Sequence, residues 1–480
     1  MFILKYLIPG EKAIVRKEFD ISNQPQLDQV NPIVQRRNLR SLRPTTSALD
    51  YLVDIQPLVE DVVDGQGQMD REEDDEVPED QVSVRRRRQD PDYKNLNKRM
   101  KWEVVPQTEE TERCIPIYGG TIPFIVGPKD PIEYFRKFFD QELLQYICNQ
   151  SNLYGMQQEN ETLLCLETKE LVIFIGISLY MSLAKLPRSR YYWQSSIEMP
   201  AITEYMRMRR WETIKSNLHF ANNADERPER GSPGYDKIWK MRPYLNMLNE
   251  RFNQIPMGES LSFDEQIIPY SGTRGPRMYT KNKPNPWGFK VWALADTCGI
   301  LYNFDLCVGA TPQQDGFPDL GSIGNTVIKG AQLIPHGLNH KLYMDNLFSG
   351  VPLFYELYNR GVYCMGTARL DRIPNIKSVM ISDGGLKYLG RSAFEEYQGQ
   401  MDKGENIIRV VRWNDNNIFT LMSTISSGYP PATVERWDKS SVPTKKITVG
   451  CPSKVKLYNT NMGGVDKMDA LVGFYRTFFR

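Results

Sequence analysis

Three short segments hold the residues best suited to chemistry: Ser262-Phe263-Asp264-Glu265-Gln266, Tyr343-Met344-Asp345-Asn346 and Gly463-Gly464-Val465-Asp466-Lys467-Met468-Asp469. Each places a carboxylate where a strand ends or a helix begins. The spacers are long, 81 positions from Asp264 to Asp345 and 121 from Asp345 to Asp466, so only a fold can gather them. Gathered aspartates repel one another unless a cation neutralises them. Hard divalent cations prefer oxygen ligands. Two such ions about 4 Å apart can clamp the attacking and leaving oxygens of a phosphoryl transfer. Asp264, Asp345 and Asp466 are therefore the candidate metal ligands. Asp466 and Asp469, three apart on a helix, share one face. Taken singly, each acid also reads as a strand-end or helix-start residue, because acids favour helix N-termini.

The stretch after Asp264 adds a partner. Arg274, Arg277, Lys281, Lys283 and Lys290 alternate with Tyr279, Trp287 and Phe289. Cations in such a run neutralise phosphates, and aromatics stack on unpaired bases. The plainer alternative is a solvated loop with core aromatics. Acids for metal and cations for phosphate together imply phosphoryl transfer on nucleic acid.

Other chemistries find little support. The three histidines, His219, His336 and His340, are too few for Ser-His or Cys-His catalysis or an imidazole zinc site. The seven cysteines form no C-x-x-C pair, so neither a disulfide framework nor a zinc cluster is expected. Buried thiols in a reducing compartment are the plain reading. No apolar run reaches roughly 18 residues, so no membrane partner is expected.

The elements that must position these residues can be read along the chain. At 480 residues, more than one unit is expected. Net charge is only +1, but it averages unlike blocks: an acidic run from Asp70 to Asp80, then Arg85-Arg86-Arg87-Arg88 and a basic stretch to Lys101. Residues 1–126 are therefore predicted to be a disordered, charged region. The arginine cluster reads equally as a nuclear localisation signal, a phosphate patch or a solvated linker.

Residues 127–256 are predicted to be helical. Ile132, Phe135, Phe139, Leu143, Tyr146 and Ile147 recur at three- and four-residue steps. A second helix follows Thr168 to about Leu183, a third spans Ile202 to Phe220, and a fourth ends near Phe252. Arg207, Arg209, Arg210 and Lys215 form a basic ridge on the third, either a DNA contact or simply an exposed face. From Glu259 strands take over. Three β segments, a fourth strand ending at Asp345, a helix from Ser349 to Gly361 and a fifth strand predict an α/β, RNase H-like mixed sheet over residues 257–368. Residues 369–455 read as a β-rich insertion. Residues 456–480 return to the core with a final helix whose Val465, Met468, Val472 and Tyr475 dock on the sheet.

These blocks resemble the three catalytic blocks of piggyBac transposases, in the same order, from about Pro131 onward. Matched motif by motif, Asp264, Asp345 and Asp466 fall on the family's catalytic aspartates and Asp469 on its fourth required acid. The resemblance implies Mg2+-dependent cut-and-paste transposition, with Mn2+ as a substitute, into TTAA targets. It also implies double-stranded transposon-end DNA as partner, a homodimer, the nucleus, and a dimerisation and DNA-binding role for the helical region. Relatives continue with basic helices and, mostly, a C-terminal Cys/His-rich zinc domain. The sequence ends at Arg480, before either, so no zinc site is expected in it. The alternative expectation is a domesticated, catalytically inactive DNA-binding protein.

Overall fold

The structure is a computed structural model that describes residues 100–106, 115–121, 130–158, 163–197, 199–232, 234–270, 272, 276–281, 283, 286–400, 408–438 and 444–475. Among them, no helix is long and apolar enough to cross a membrane.

A helical layer comes first. Asp130 accepts from the amide of Ile132 and starts α1 (Pro131–Phe138). Asp140 accepts from the amide of Leu143 and starts α2 (Gln141–Gln157). The apolar periodicity from Ile132 to Ile147 therefore runs through two helices, because a capping aspartate begins a new one in its middle. Helices α3 (Thr168–Leu183), α4 (Pro200–Thr203), α5 (Met208–Asn217) and α6 (Arg242–Phe252) follow. The single helix expected over Ile202 to Phe220 is thus α4 and α5, separated where Met206 turns inward and Tyr205 stays in solvent. Arg210 of the expected basic ridge instead grips Glu170 at 2.5 Å, tying α5 to α3. Arg251 of α6, almost fully buried, pairs with Asp140 at 2.7 Å.

One large sheet carries the rest. Its strands are β1 (Lys101–Val104), β2 (Ser260–Pro269), β3 (Met278–Tyr279), β4 (Trp287–Asp296), β5 (Leu301–Leu306), β6 (His340–Met344), β7 (Val362–Thr367), β8 (Phe394–Gln400), β9 (Ile408–Asn414) and β10 (Ile418–Ser423). Their order is β1-β8-β9-β10-β7-β6-β2-β4-β3, with β5 also on β4. The pairs β2–β6 and β6–β7 are parallel. The central order β5-β4-β2-β6-β7 is the predicted RNase H-like arrangement.

Alternation along β2 separates two cores. Leu261 and Phe263 join Leu342, Met344 and residues of α7 (Gly321–Ala331) and α8 (Val351–Asn359) on one face. On the other, Ala293 and Ala295 of β4 pack with the helical layer and with Val465 and Met468 of the last helix.

Two regions differ from the sequence reading. Residues 100–106, assigned to the disordered region, carry β1, which pairs with β8 and buries Met100 and Trp102. Apolar residues hidden among charges there fold only through a distant partner strand. Residues 1–99 lie outside the described residues. In the stretch read as an insertion, β8 to β10 extend the main sheet by pairing β10 to β7. Among the described residues of that stretch, only β11 (Pro431–Asp438) and β12 (Lys445–Pro452) form a separate hairpin. Helix α9 (Asp383–Tyr388) precedes β8, and α10 (Ser453–Asn461) and α11 (Gly464–Gly473) close the described chain. Of the described cysteines, Cys148, Cys364 and Cys451 are buried free thiols as expected, whereas Cys165 and Cys298 are exposed.

Candidate active site

Strand register sets two of the acids side by side. Phe263 of β2 pairs in parallel with Met344 of β6. Asp264 and Asp345 are each the next residue, on neighbouring strands about 4.8 Å apart. The turn after β6 fixes Asp345. Its Oδ1 accepts from the amide of Leu347 at 2.7 Å, and its carbonyl accepts from Ser349 Oγ at 3.0 Å. Phe348 packs edge-on against Phe263 and Trp292, holding that turn to the sheet. Arg372 Nη1 donates to the carbonyls of Asn346 and Leu347. From below, Tyr458 of α10 donates to the carbonyl of Met344 at 3.4 Å.

Helix α11 brings in the third acid. Its first residue, Gly464, lies so close to β2 and β4 that a Cβ would overlap the carbonyl oxygen of Asp296 and the hydroxyl of Ser262. Ser262 is two positions before Asp264 and shares its face. Small residues, Ala295 opposite Ser262 and Ala293 opposite Asp264, leave room for the helix. Val465, Met468 and Val472 are buried beneath it, while Tyr475, expected to dock, is over a third exposed. Gln266 of β2, also on the Asp264 face and buried, donates Nε2 to Asp469 Oδ1 at 2.9 Å.

The electrostatics record the crowding. Burial, then the charges of Asp345, Asp466 and Glu265, raise the Asp264 carboxyl well above its usual range, with Lys283 opposing. Burial and Glu265 push Asp345 up to about 6, against the amides of Leu347 and Phe348 and against Lys283. The Asp466 carboxyl, although its residue is exposed to solvent, is raised by desolvation from the protein packed around it, opposed by Lys283 and reinforced by Asp469 and Glu265. Lys283 is held charged, since Asp264, Asp466, Glu265 and Asp469 outweigh its own burial.

The predicted cations divide. Lys283 faces the acids, Lys281 is exposed, and Arg277 lies over the Trp287 ring at 4.0 Å. Lys290 turns into the fold, 4.0 Å from Glu265 Oε2 and over the Trp292 ring. Arg274 lies outside the described residues. Gln266, Ser262 and Gly464 had no assigned role in the sequence reading, although residues two before and two after Asp264 must share its face.

The donor set, all carboxylate oxygens, suits a hard divalent cation. Among the described residues, no three His, Cys, Asp or Glu side chains converge tightly enough to hold an ion as they stand. The aspartates share one electrostatic neighbourhood rather than a finished ligand shell.

The profile of the transposase IS4 family matches residues 130–480. The chain belongs to that family of transposases. Within the family it is similar to human piggyBac transposable element-derived protein 3, 31% identical over 362 residues, covering 74% of this chain and 58% of that protein. Human piggyBac transposable element-derived protein 2 is 30% identical over 405 residues, covering 82% of this chain and 65% of that protein. The chain thus spans less than two thirds of the length of either relative. A solved structure of piggyBac transposase, in a synaptic complex with hairpin DNA, superposes with a TM-score of 0.58 at 20% identity, covering 74% of this chain and 70% of that one. The chain shares that fold, and the expected piggyBac-family resemblance is borne out.

Proposed function

We propose that this transposase cleaves and rejoins DNA strands by piggyBac-type cut-and-paste transposition. The observation that carries the reading is the juxtaposition of Asp264 and Asp345 on neighbouring parallel strands, with α11 seating Asp466 over the same face. Mg2+, or Mn2+ in its place, held by Asp264, Asp345 and Asp466 would supply the Lewis acidity that activates the attacking hydroxyl and stabilises the leaving oxygen. The chain's own part is to hold three carboxylates at one end of a rigid sheet. Asp469, bonded to Gln266, secures the helix that carries Asp466. Lys281 and Lys283 meet the phosphates of double-stranded transposon ends, and TTAA is the target site. The protein works as a homodimer in the nucleus.

A second reading is DNA binding without cleavage. The names of the relatives, proteins derived from a transposable element, favour it. An excision assay on a plasmid carrying a matched transposon, with nicking followed on labelled DNA, separates the two. Metal-dependent nicking by the parent and none by Asp345→Ala supports the first reading. Equal nicking by both overturns it, and DNA binding with no cleavage in Mg2+ or Mn2+ establishes the second.

A further inference from the structure

The β3–β4 hairpin displays aromatic surface that no core uses. Tyr279 is 58% exposed and Trp287 46%. The two are register partners, with ring centroids 5.0 Å apart and planes tilted by 59°. The Arg277 guanidinium lies over the Trp287 ring at 4.0 Å, and its Nη1 donates to the Gly272 carbonyl at 2.8 Å. Large rings grouped in solvent mark a binding surface more often than isolated exposed apolar residues do.

The cluster is fixed to the strand that carries the site. Gly288, beside Trp287, lies so close to β2 that a Cβ would overlap the carbonyl of Ile268. Between Tyr279 and Trp287 the hairpin carries exposed Lys281, and Lys283, whose ammonium faces Asp264, Asp466, Glu265 and Asp469. One hairpin therefore joins the acids to the rings, with cations on both sides. A paired base has both faces covered within its duplex, whereas an unpaired base offers a face to an aromatic ring or a guanidinium plane.

We propose that Arg277, Tyr279 and Trp287 form a stacking site for an unpaired base of the DNA strand that enters the acid site. This rests on the DNA-processing reading and adds to it a preference for locally opened DNA. Stacking of this kind tolerates any base, because every base has a π-face. The flanking lysines meet the adjoining phosphates.

The test uses the whole chain and two labelled probes, a fully paired duplex and the same duplex with a short unpaired thymine loop. A 2-aminopurine beside the loop reports stacking. The parent should bind the looped probe more tightly and quench the reporter. Trp287→Ala should weaken looped-probe binding on the order of tenfold and leave paired-duplex affinity unchanged. Trp287→Phe should retain most of the preference, and Tyr279→Ala should lose part of it. A parent without the preference, or Trp287→Ala retaining it in full, overturns the stacking site while the DNA reading stands. Failure of the parent to bind either probe overturns the DNA reading and the stacking site together.

Discussion

Gln266 and Asp469 meet by a 2.9 Å hydrogen bond across 203 positions of sequence. The bond joins the strand that carries Asp264 to the helix that carries Asp466. It assigns Asp469 the role of holding α11 in place. Removing the donor with Gln266→Ala should cost about 1.5–3 kcal/mol, the range for hydrogen bonds to charged groups. Gln266→Glu should cost more at neutral pH, because it sets two carboxylates face to face. That excess should shrink as the pH is lowered toward the carboxylate range. Urea unfolding of both variants across pH measures this.

The approach of α11 should be intolerant of a single methyl group. Gly464→Ala would drive a Cβ into backbone and hydroxyl oxygen, and should destabilise by about 1–3 kcal/mol. Gly473→Ala, on the same helix, meets nothing within 4 Å and should stabilise by up to about 1 kcal/mol. The paired thermal unfolding curves should move in opposite directions.

The crowded acids should cost the metal-free protein stability. The Asp345 carboxyl, pushed up to about 6, is held above its unfolded value. Its stabilising contribution is therefore present below the unfolded pKa and is lost as pH rises through about 6. Asp345→Asn keeps an oxygen for the Leu347 amide and removes the charge. In chelator at pH 7.5 it should be more stable than the parent by on the order of 2 kcal/mol. The difference should vanish near pH 4, as denaturant titration at both pH values will show.

Much of this was legible because the three acidic blocks and the strand–helix order are local patterns. Asp345 directly follows the strand segment that ends at Met344, and Asp264 follows an apolar alternation that points it away from Phe263. What was hidden depends on tertiary partners. Helix α10 reads as polar, Ser453-Lys454-Val455-Lys456, yet Lys454 is fully buried against Glu396 at 2.8 Å. No local pattern predicts that a lysine will find a buried carboxylate 58 positions away. Lys290, read with its neighbours as a phosphate contact, turns to Glu265 because strand pairing places it two register positions away. Strands β8 to β10 read as an insertion because nothing in their own sequence announces that β10 will cover the edge of β7.

Mn2+ binding, followed by electron paramagnetic resonance on the full chain, tests the shared acid site most directly. The parent should bind the ion, and Asp264→Asn, Asp345→Asn and Asp466→Asn should each weaken binding by more than about tenfold. Asp315→Asn, on an exposed loop, should leave it unchanged. A variant at any of the three aspartates that binds Mn2+ as tightly as the parent would contradict the shared site.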